Sequence, residues 1–410
     1  MQILRVTILL LLISLLREPV CAEESANRTM ANDLSSEISL RVDKLVDQGK
    51  IAGAVTLVSQ NGKTIHFTAE GSRDVNTDEA MTPETIFRIY SMTKPITTAA
   101  TMQLVEQGKL ALEDPVSRHL PELANPVVFR KGGEPTPAKR EPTIADLMRH
   151  TSGYSYGFVG GEVAKMYREV DILARDSSME EMVKKLARIP LQENPGTQWR
   201  YSISIDVLGA VIEAASGEKL EHYLADHLFE PLGMVDTAFF VPEEKWERFA
   251  SQHGRGLTGK LRVSEAAEKS KFLTPPGLPS GGGGLCSTAT DYLRFCEMIL
   301  NQGNFDGNQI LKPESVALMI RNQLPESISH IGIGDERTGV GFGYGFSVRT
   351  RETDWGFGGK VGEIGWGGAA STHFWMLPSE NLAVITLRNF MPYQWTLEAE
   401  LKNLIYDSIK

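Results

Sequence analysis

Cysteine is nearly absent, with three in 410 residues. Long apolar runs are missing too. The stretch Val6 to Leu16 falls well short of the ~20 residues that a bilayer-spanning helix requires. With Arg5 ahead of it and the small residues Val20-Cys21-Ala22 behind, it reads as a signal peptide over residues 1–22. Export to a periplasm or the medium follows as an expectation. Cys286 and Cys296 then remain, too few for a disulfide framework. Cys296 shares an apolar helical stripe with Tyr292, Phe295 and Ile299, so a buried free thiol is expected. Positive charge is in deficit: 42 Lys and Arg face 52 Asp and Glu, for a net charge of −10. With no basic stripe either, an electrostatic route to nucleic acid is excluded. None of the eight histidines stands in a zinc-binding spacing. Glu221-His222 and Asp226-His227 have no third ligand in view and read as a polar helix face. Gly281 to Gly284 lacks the Lys-Ser/Thr ending of a phosphate loop, so it reads as a turn. No cofactor or metal is expected.

What is present has the period of both strands and helices. Ile38, Val42, Leu45 and Val46 recur at helical spacing, and Gly49 stops the helix. Ile51 to Ser59 and Lys63 to Ala69 flank Asn61-Gly62, the signature of a two-residue hairpin turn. Thr85 to Tyr90 is β-like and leads into a helix that runs from Ser91 to Gly108. Residues 120–272 are mostly helical in period, for example Ile144 to His150, Glu180 to Arg188 and Ile205 to Ala215. β-like segments return at Tyr344 to Thr350, Ile364 to Met376 and Leu382 to Leu387, before a closing helix from Thr396 to Ile409. The expected class is α+β. An antiparallel sheet is drawn from both chain ends (34–119 and 273–410) and flanked by helices, with a mostly helical region, 120–272, inserted. A cleft is expected where the two parts meet.

Ser91-Met92-Thr93-Lys94 puts a hydroxyl and an amine three residues apart, on one face of a helix. A serine hydroxyl is a poor nucleophile until a neighbouring base takes its proton. A lysine amine can be that base when burial and the positive end of a helix dipole disfavour its charged form. The same pattern recurs at Ser216 to Lys219, but there at a helix end with Gly217 as the stop, a surface connection. Gly153-Tyr154-Ser155-Tyr156-Gly157 matches the G-x-S-x-G nucleophile elbow, which requires a buried strand before its serine. Ile144 to His150 has helical period instead, so Ser91 is preferred. His150 is expected to hold a loop by hydrogen bonding.

From Leu34 to the C-terminus the chain resembles the class C β-lactamase superfamily. That group includes D-alanyl-D-alanine peptidases and family VIII carboxylesterases. The stretches that carry the resemblance are Ser91-Met92-Thr93-Lys94, Met148 to Gly153, Pro195-Gly196-Thr197 with Tyr201-Ser202, Ser280 to Leu285 with Ser287-Thr288, and Leu382 to Ile385. The resemblance implies a β-lactamase/transpeptidase-like fold. It implies that Tyr201 shares protons with Ser91 and Lys94, and that the amides of Ser91 and Ala369 form an oxyanion hole. Trp366-Gly367-Gly368 stands where the family's third motif lines the substrate site.

Two departures bear on the substrate. Ile203 occupies the place where the second motif commonly ends in asparagine, and Trp366 the place of a lysine or histidine. Tryptophan offers one N–H donor and a large apolar face where a cation would hold a carboxylate. A carboxylesterase acting through an acyl-enzyme on short-chain or neutral esters is therefore expected. A β-lactamase or D-alanyl-D-alanine carboxypeptidase-like protein is the first alternative, and a non-catalytic cell-envelope binding protein on the same fold the second.

Overall fold

A computed structural model describes residues 33–409 apart from Asp78 and Asp354. The segment expected to be a signal peptide, residues 1–22, lies outside the described residues.

The first part of the chain supplies β1 (Gly53–Gln60), β2 (Lys63–Asp74) and β3 (Glu79–Ala80). The last part supplies β4 (Val340–Phe342), β5 (Ser347–Arg349), β6 (Ile364–Gly368), β7 (Thr372–Leu377) and β8 (Leu382–Leu387). These eight strands form one antiparallel sheet in the order β4-β5-β6-β7-β8-β1-β2-β3. The two chain ends meet where β1 pairs with β8, Leu57 standing opposite Ile385. Asn61 and Gly62 both take positive φ, 53° and 70°, and so make the tight β1–β2 turn.

Six helices frame the site: α1 (residues 33–47), α2 (Thr93–Glu106), α3 (Ile144–Met148), α4 (Ser204–Ser216), α5 (Ala289–Leu300) and α6 (Thr396–Ser408). The sheet is covered on both faces, which is why all six residues of β8 are buried. On one face Ile38, Val42 and Leu45 of α1 and Leu397, Leu401 and Ile405 of α6 meet Trp375, Leu382 and Val384. The alternate residues Phe374, Met376, Ala383 and Ile385 point the other way, into a second core that includes Ile96 of α2 and Leu208 of α4. Each aliphatic side chain buried so completely contributes about 1.5–3 kcal/mol. Cys286 and Cys296 are buried free thiols.

Three sequence expectations need correction. Ile364 to Met376 is two strands, because the chain turns at residues 369–371, where Ser371 takes φ 60° and its amide donates to the Gly368 carbonyl at 3.0 Å. No Asn-Gly or Asp-Gly pair marks that turn. Within Tyr344 to Thr350 only Ser347–Arg349 is strand, and its partner β4 falls in a Gly-rich stretch with little β signal. The middle region also contains two-stranded ribbons, Val127–Val128 with Thr136–Pro137 and Gln252–Arg255 with Leu261–Glu265.

Candidate active site

The segment before Ser91 is tied down first. Phe87–Arg88 pairs with Cys286–Ser287, and the Ile89 amide donates to the Leu285 carbonyl at 3.0 Å. Tyr90 then adopts φ 42°, a left-handed conformation that costs a non-glycine residue about 1–3 kcal/mol. The strain turns the chain sharply at Tyr90–Met92, so that half-buried Ser91 stands at the entrance to α2.

Lys94 lies in the first turn of α2 with no exposed surface. Its Nζ donates to Ser91 Oγ at 3.2 Å and to the Gly282 carbonyl at 2.5 Å. It sits 4.6 Å from the centroid of the Tyr201 ring and 5.4 Å from that of Tyr156. The amine is thus held by two oxygen acceptors and two aromatic faces, out of reach of bulk water.

Tyr201 meets Lys94 with its ring. Its hydroxyl accepts a hydrogen bond from Trp366 Nε1 at 3.3 Å, which leaves the phenolic proton uncommitted among the described interactions. Trp366, at the edge of Phe342 and Tyr201, extends an aromatic wall that continues through Trp199 and His150. His150 is wholly buried, and burial together with the Lys94 charge holds its pKa well below the usual imidazole value. It is therefore neutral; Nδ1 faces Ser202 Oγ at 3.3 Å and its carbonyl accepts the Arg200 amide.

The glycine run does more than turn. The Gly282 amide donates to Asp206 Oδ1 at 3.1 Å while its carbonyl holds Lys94, and a Cβ at this position would meet the Asp206 carboxylate at 2.3 Å. Asp206, on α4, also accepts from Ser280 Oγ and, at 3.3 Å, from the Tyr156 hydroxyl. Burial pushes the Asp206 carboxyl above the usual range, and the Lys94 charge pulls it back. Burial and the neighbouring Asp206 raise the Tyr156 phenol, which stays protonated as a donor. Sequence reasoning missed Asp206, Tyr156 and the part played by Gly282. A lone aspartate in the otherwise apolar start of α4 was the available signal. Asp146, buried on α3, gathers Arg140, Arg149, Thr143 and Thr151 and thereby fixes the loop that carries His150 to Tyr156.

The strand end carrying the third motif lies against the same turn. A Cβ on Gly368 would come within 2.2 Å of the Ile89 carbonyl, which also accepts from Thr372 Oγ1 at 3.3 Å. Only glycine lets β6 approach so closely, and Ala369 follows directly. Ser91, Lys94, Tyr201, Trp366, Gly367 and Gly368 are thus gathered around one place. Ile203 is the exception: it has no exposed surface and packs in the core, its amide donating to the Ser155 carbonyl, so it underlies the site and does not line it. The competitors fall away. Ser155 is buried, with no strand before it and no partner for its hydroxyl among the described residues. Ser216 Oγ is turned onto its own helix, at the Ile212 carbonyl, and exposed Lys219 pairs with Glu213 at 3.2 Å.

A serine hydroxyl bonded to a buried lysine, beside a phenol and a glycine-lined strand end, defines a class: a serine hydrolase that uses lysine where many others use histidine. The β-lactamase family model matches residues 38–404, and the chain belongs to that family. Protein Rv1367c of Mycobacterium tuberculosis is 37% identical over 362 residues, covering 86% of this chain and 89% of that protein. Esterase EstB of Burkholderia gladioli is 31% identical over 379 residues, covering 87% and 91%. Among solved structures, EstCE1, described as a hydrolase with promiscuous acyltransferase activity, superposes with a TM-score of 0.78 at 27% identity over 92% of this chain and 99% of that one. The protein is a serine hydrolase on the β-lactamase fold. No helix among the described residues is long and apolar enough to cross a membrane.

Proposed function

We propose that this hydrolase is a carboxylesterase acting through an acyl-enzyme on short-chain or neutral esters. Once Lys94 has given up its proton, Ser91 Oγ attacks the ester carbonyl as its own proton passes to the free amine, and the amides of Ser91 and Ala369 receive the oxyanion. Tyr201, whose proton is uncommitted, protonates the departing alkoxide. Water then attacks the acyl-enzyme as the Tyr201 phenolate takes its proton, and protonated Lys94 returns the proton it holds to the departing Ser91 Oγ, which releases the acid and resets all three groups. The observation that carries the reading is the 3.2 Å contact between Ser91 Oγ and an enclosed Lys94 Nζ. The ester preference draws on the aromatic wall, on Phe158, which stacks exposed over Tyr156 at 4.6 Å, and on the likeness to a protein named as an esterase. Residues 1–22 would export the enzyme, leaving the mature chain to act outside the cytoplasm.

Purified mature protein assayed side by side on short-chain nitrophenyl esters and a chromogenic cephalosporin tests the assignment. Ester hydrolysis is expected to be the faster, and faster cephalosporin turnover would reverse it. Tyr201→Phe removes the donor while keeping the ring over Lys94. It is expected to lower kcat by about 10²-fold with little change in KM. The loss should shrink for esters with better leaving alcohols, which need less protonation. An equal loss across leaving groups would remove Tyr201 from the acid role.

A further inference from the structure

The third motif has lost its cation, yet a guanidinium stands behind the same strand. Arg337 carries five N–H donors on a side chain only 13% exposed, and it makes no side-chain hydrogen bond to any described residue. Its Cζ lies 4.9 Å from the ring of Trp355, 5.3 Å from that of Trp366 and 5.8 Å from that of Trp395. The nearest described acid is Asp335, 3.9 Å from Nε, and the other oxygen of that carboxylate is already taken by Trp355 Nε1 at 3.0 Å. The backbone of Arg337 is pinned by its amide to the Ile331 carbonyl at 2.8 Å. Stacking on indoles offsets part of the cost of burying a charge, but it satisfies none of the N–H groups.

A second unpaired donor lies beside it. The Tyr393 hydroxyl is buried and has no hydrogen-bond partner among the described residues, and the Arg337 charge acts on its titration. Burial and Glu398 raise its pKa, so the phenol stays a donor. Both groups lie against β6 at successive residues: Arg337 stacks on Trp366, a Cβ added to Gly367 would come within 3.0 Å of the Tyr393 hydroxyl, and both border Trp395, at 5.8 Å from Arg337 Cζ and 5.0 Å between the Tyr393 and Trp395 rings. Gly368, the next residue, abuts the Ile89 carbonyl ahead of Ser91. Tyr201, whose ring centroid lies 4.6 Å from Lys94 Nζ, is among the groups that act on the Arg337 charge, so the guanidinium borders the catalytic residues.

We propose that Arg337 and Tyr393 form a carboxylate-binding subsite, so that the preferred esters carry a carboxylate a few bonds from the scissile carbonyl. The planar guanidinium fork matches the two oxygens of a carboxylate, and the phenol adds a third donor. The inference rests on the esterase reading; among its short-chain esters it favours half-esters of short dicarboxylic acids and puts neutral esters second.

The test compares 4-nitrophenyl hemiglutarate with its neutral counterpart, 4-nitrophenyl valerate. Arg337→Met is expected to lower the ratio of kcat/KM for the anionic ester over the neutral one by about 30-fold, chiefly through KM. Arg337→Lys should restore part of that ratio, and Tyr393→Phe should lower it by about 5-fold. A ratio unchanged within about twofold in Arg337→Met overturns the subsite. If Arg337→Met fails to fold, the ratio is read from Arg337→Lys and Tyr393→Phe. A separate measurement needs no turnover: glutarate is titrated against Ser91→Ala by indole fluorescence, since three tryptophans surround the guanidinium. Saturable quenching, weakened when Tyr393→Phe is added, supports the subsite even if neither ester is hydrolysed, in which case the esterase reading alone fails. Absence of quenching together with an unchanged ratio removes it.

Discussion

Ser91→Ala is expected to lower ester turnover by about 10⁴-fold or more, the scale seen when a nucleophile is removed from a serine hydrolase. The fold should survive. Ser91 is half-buried, its hydroxyl accepts one hydrogen bond from Lys94, and that lysine keeps its bond to the Gly282 carbonyl when Ser91 is gone. No buried charge is orphaned, so the loss is about 1 kcal/mol or less, a shift in Tm of no more than about 3 °C. A fluorophosphonate probe should label the natural protein at Ser91 and leave the variant unlabelled. Retained turnover with labelling at Ser155 would move the nucleophile to the other motif. Failure of the natural protein to react across pH 6 to 9 would favour a binding protein on the same scaffold.

The parts of this site that were legible in the sequence are those set by local rules. Ser91 and Lys94 are three residues apart at a helix start, so their meeting needs only helical geometry. The β1–β2 hairpin was legible for the same reason, through Asn61-Gly62. Tyr201 and Trp366 entered only through family likeness, because their contact joins residues 165 apart in sequence and depends on how β6 lies against α4. Asp206 stayed hidden because its partners, Ser280, Gly282 and Tyr156, come from two distant loops. A carboxylate on an apolar helix signals that a partner exists without saying which. Ile203 was misplaced because the motif aligns it with a substrate-facing residue, whereas an isoleucine beside a packed helix start gains more by turning into the core. Arg337 was invisible: nothing in Glu336-Arg337-Thr338 foretells three indoles around a guanidinium.

Lys94→Met should cost both turnover and a pH-dependent share of stability. Lys94 is the one group hydrogen-bonded to Ser91 Oγ among the described residues, so without its amine kcat is expected to fall by about 10³-fold. The stability effect runs through Asp206. Burial already raises that carboxyl above its ordinary 3.8, and the Lys94 charge is the main influence opposing the rise. Methionine removes the opposition, so the folded protein holds the Asp206 proton still more tightly than the unfolded chain does. A native state that binds more protons loses stability as pH rises, from about 3.8 upward through the folded pKa. The Tm deficit of Lys94→Met relative to the natural protein should therefore be larger at pH 8 than at pH 4. Calorimetry at the two pH values reads it directly. Adding Asp206→Asn removes the titrating group, and the deficit should then become the same at both. A deficit that is already independent of pH in Lys94→Met would show that the lysine and the buried carboxylate do not share a field. The site would then have to be built without Asp206.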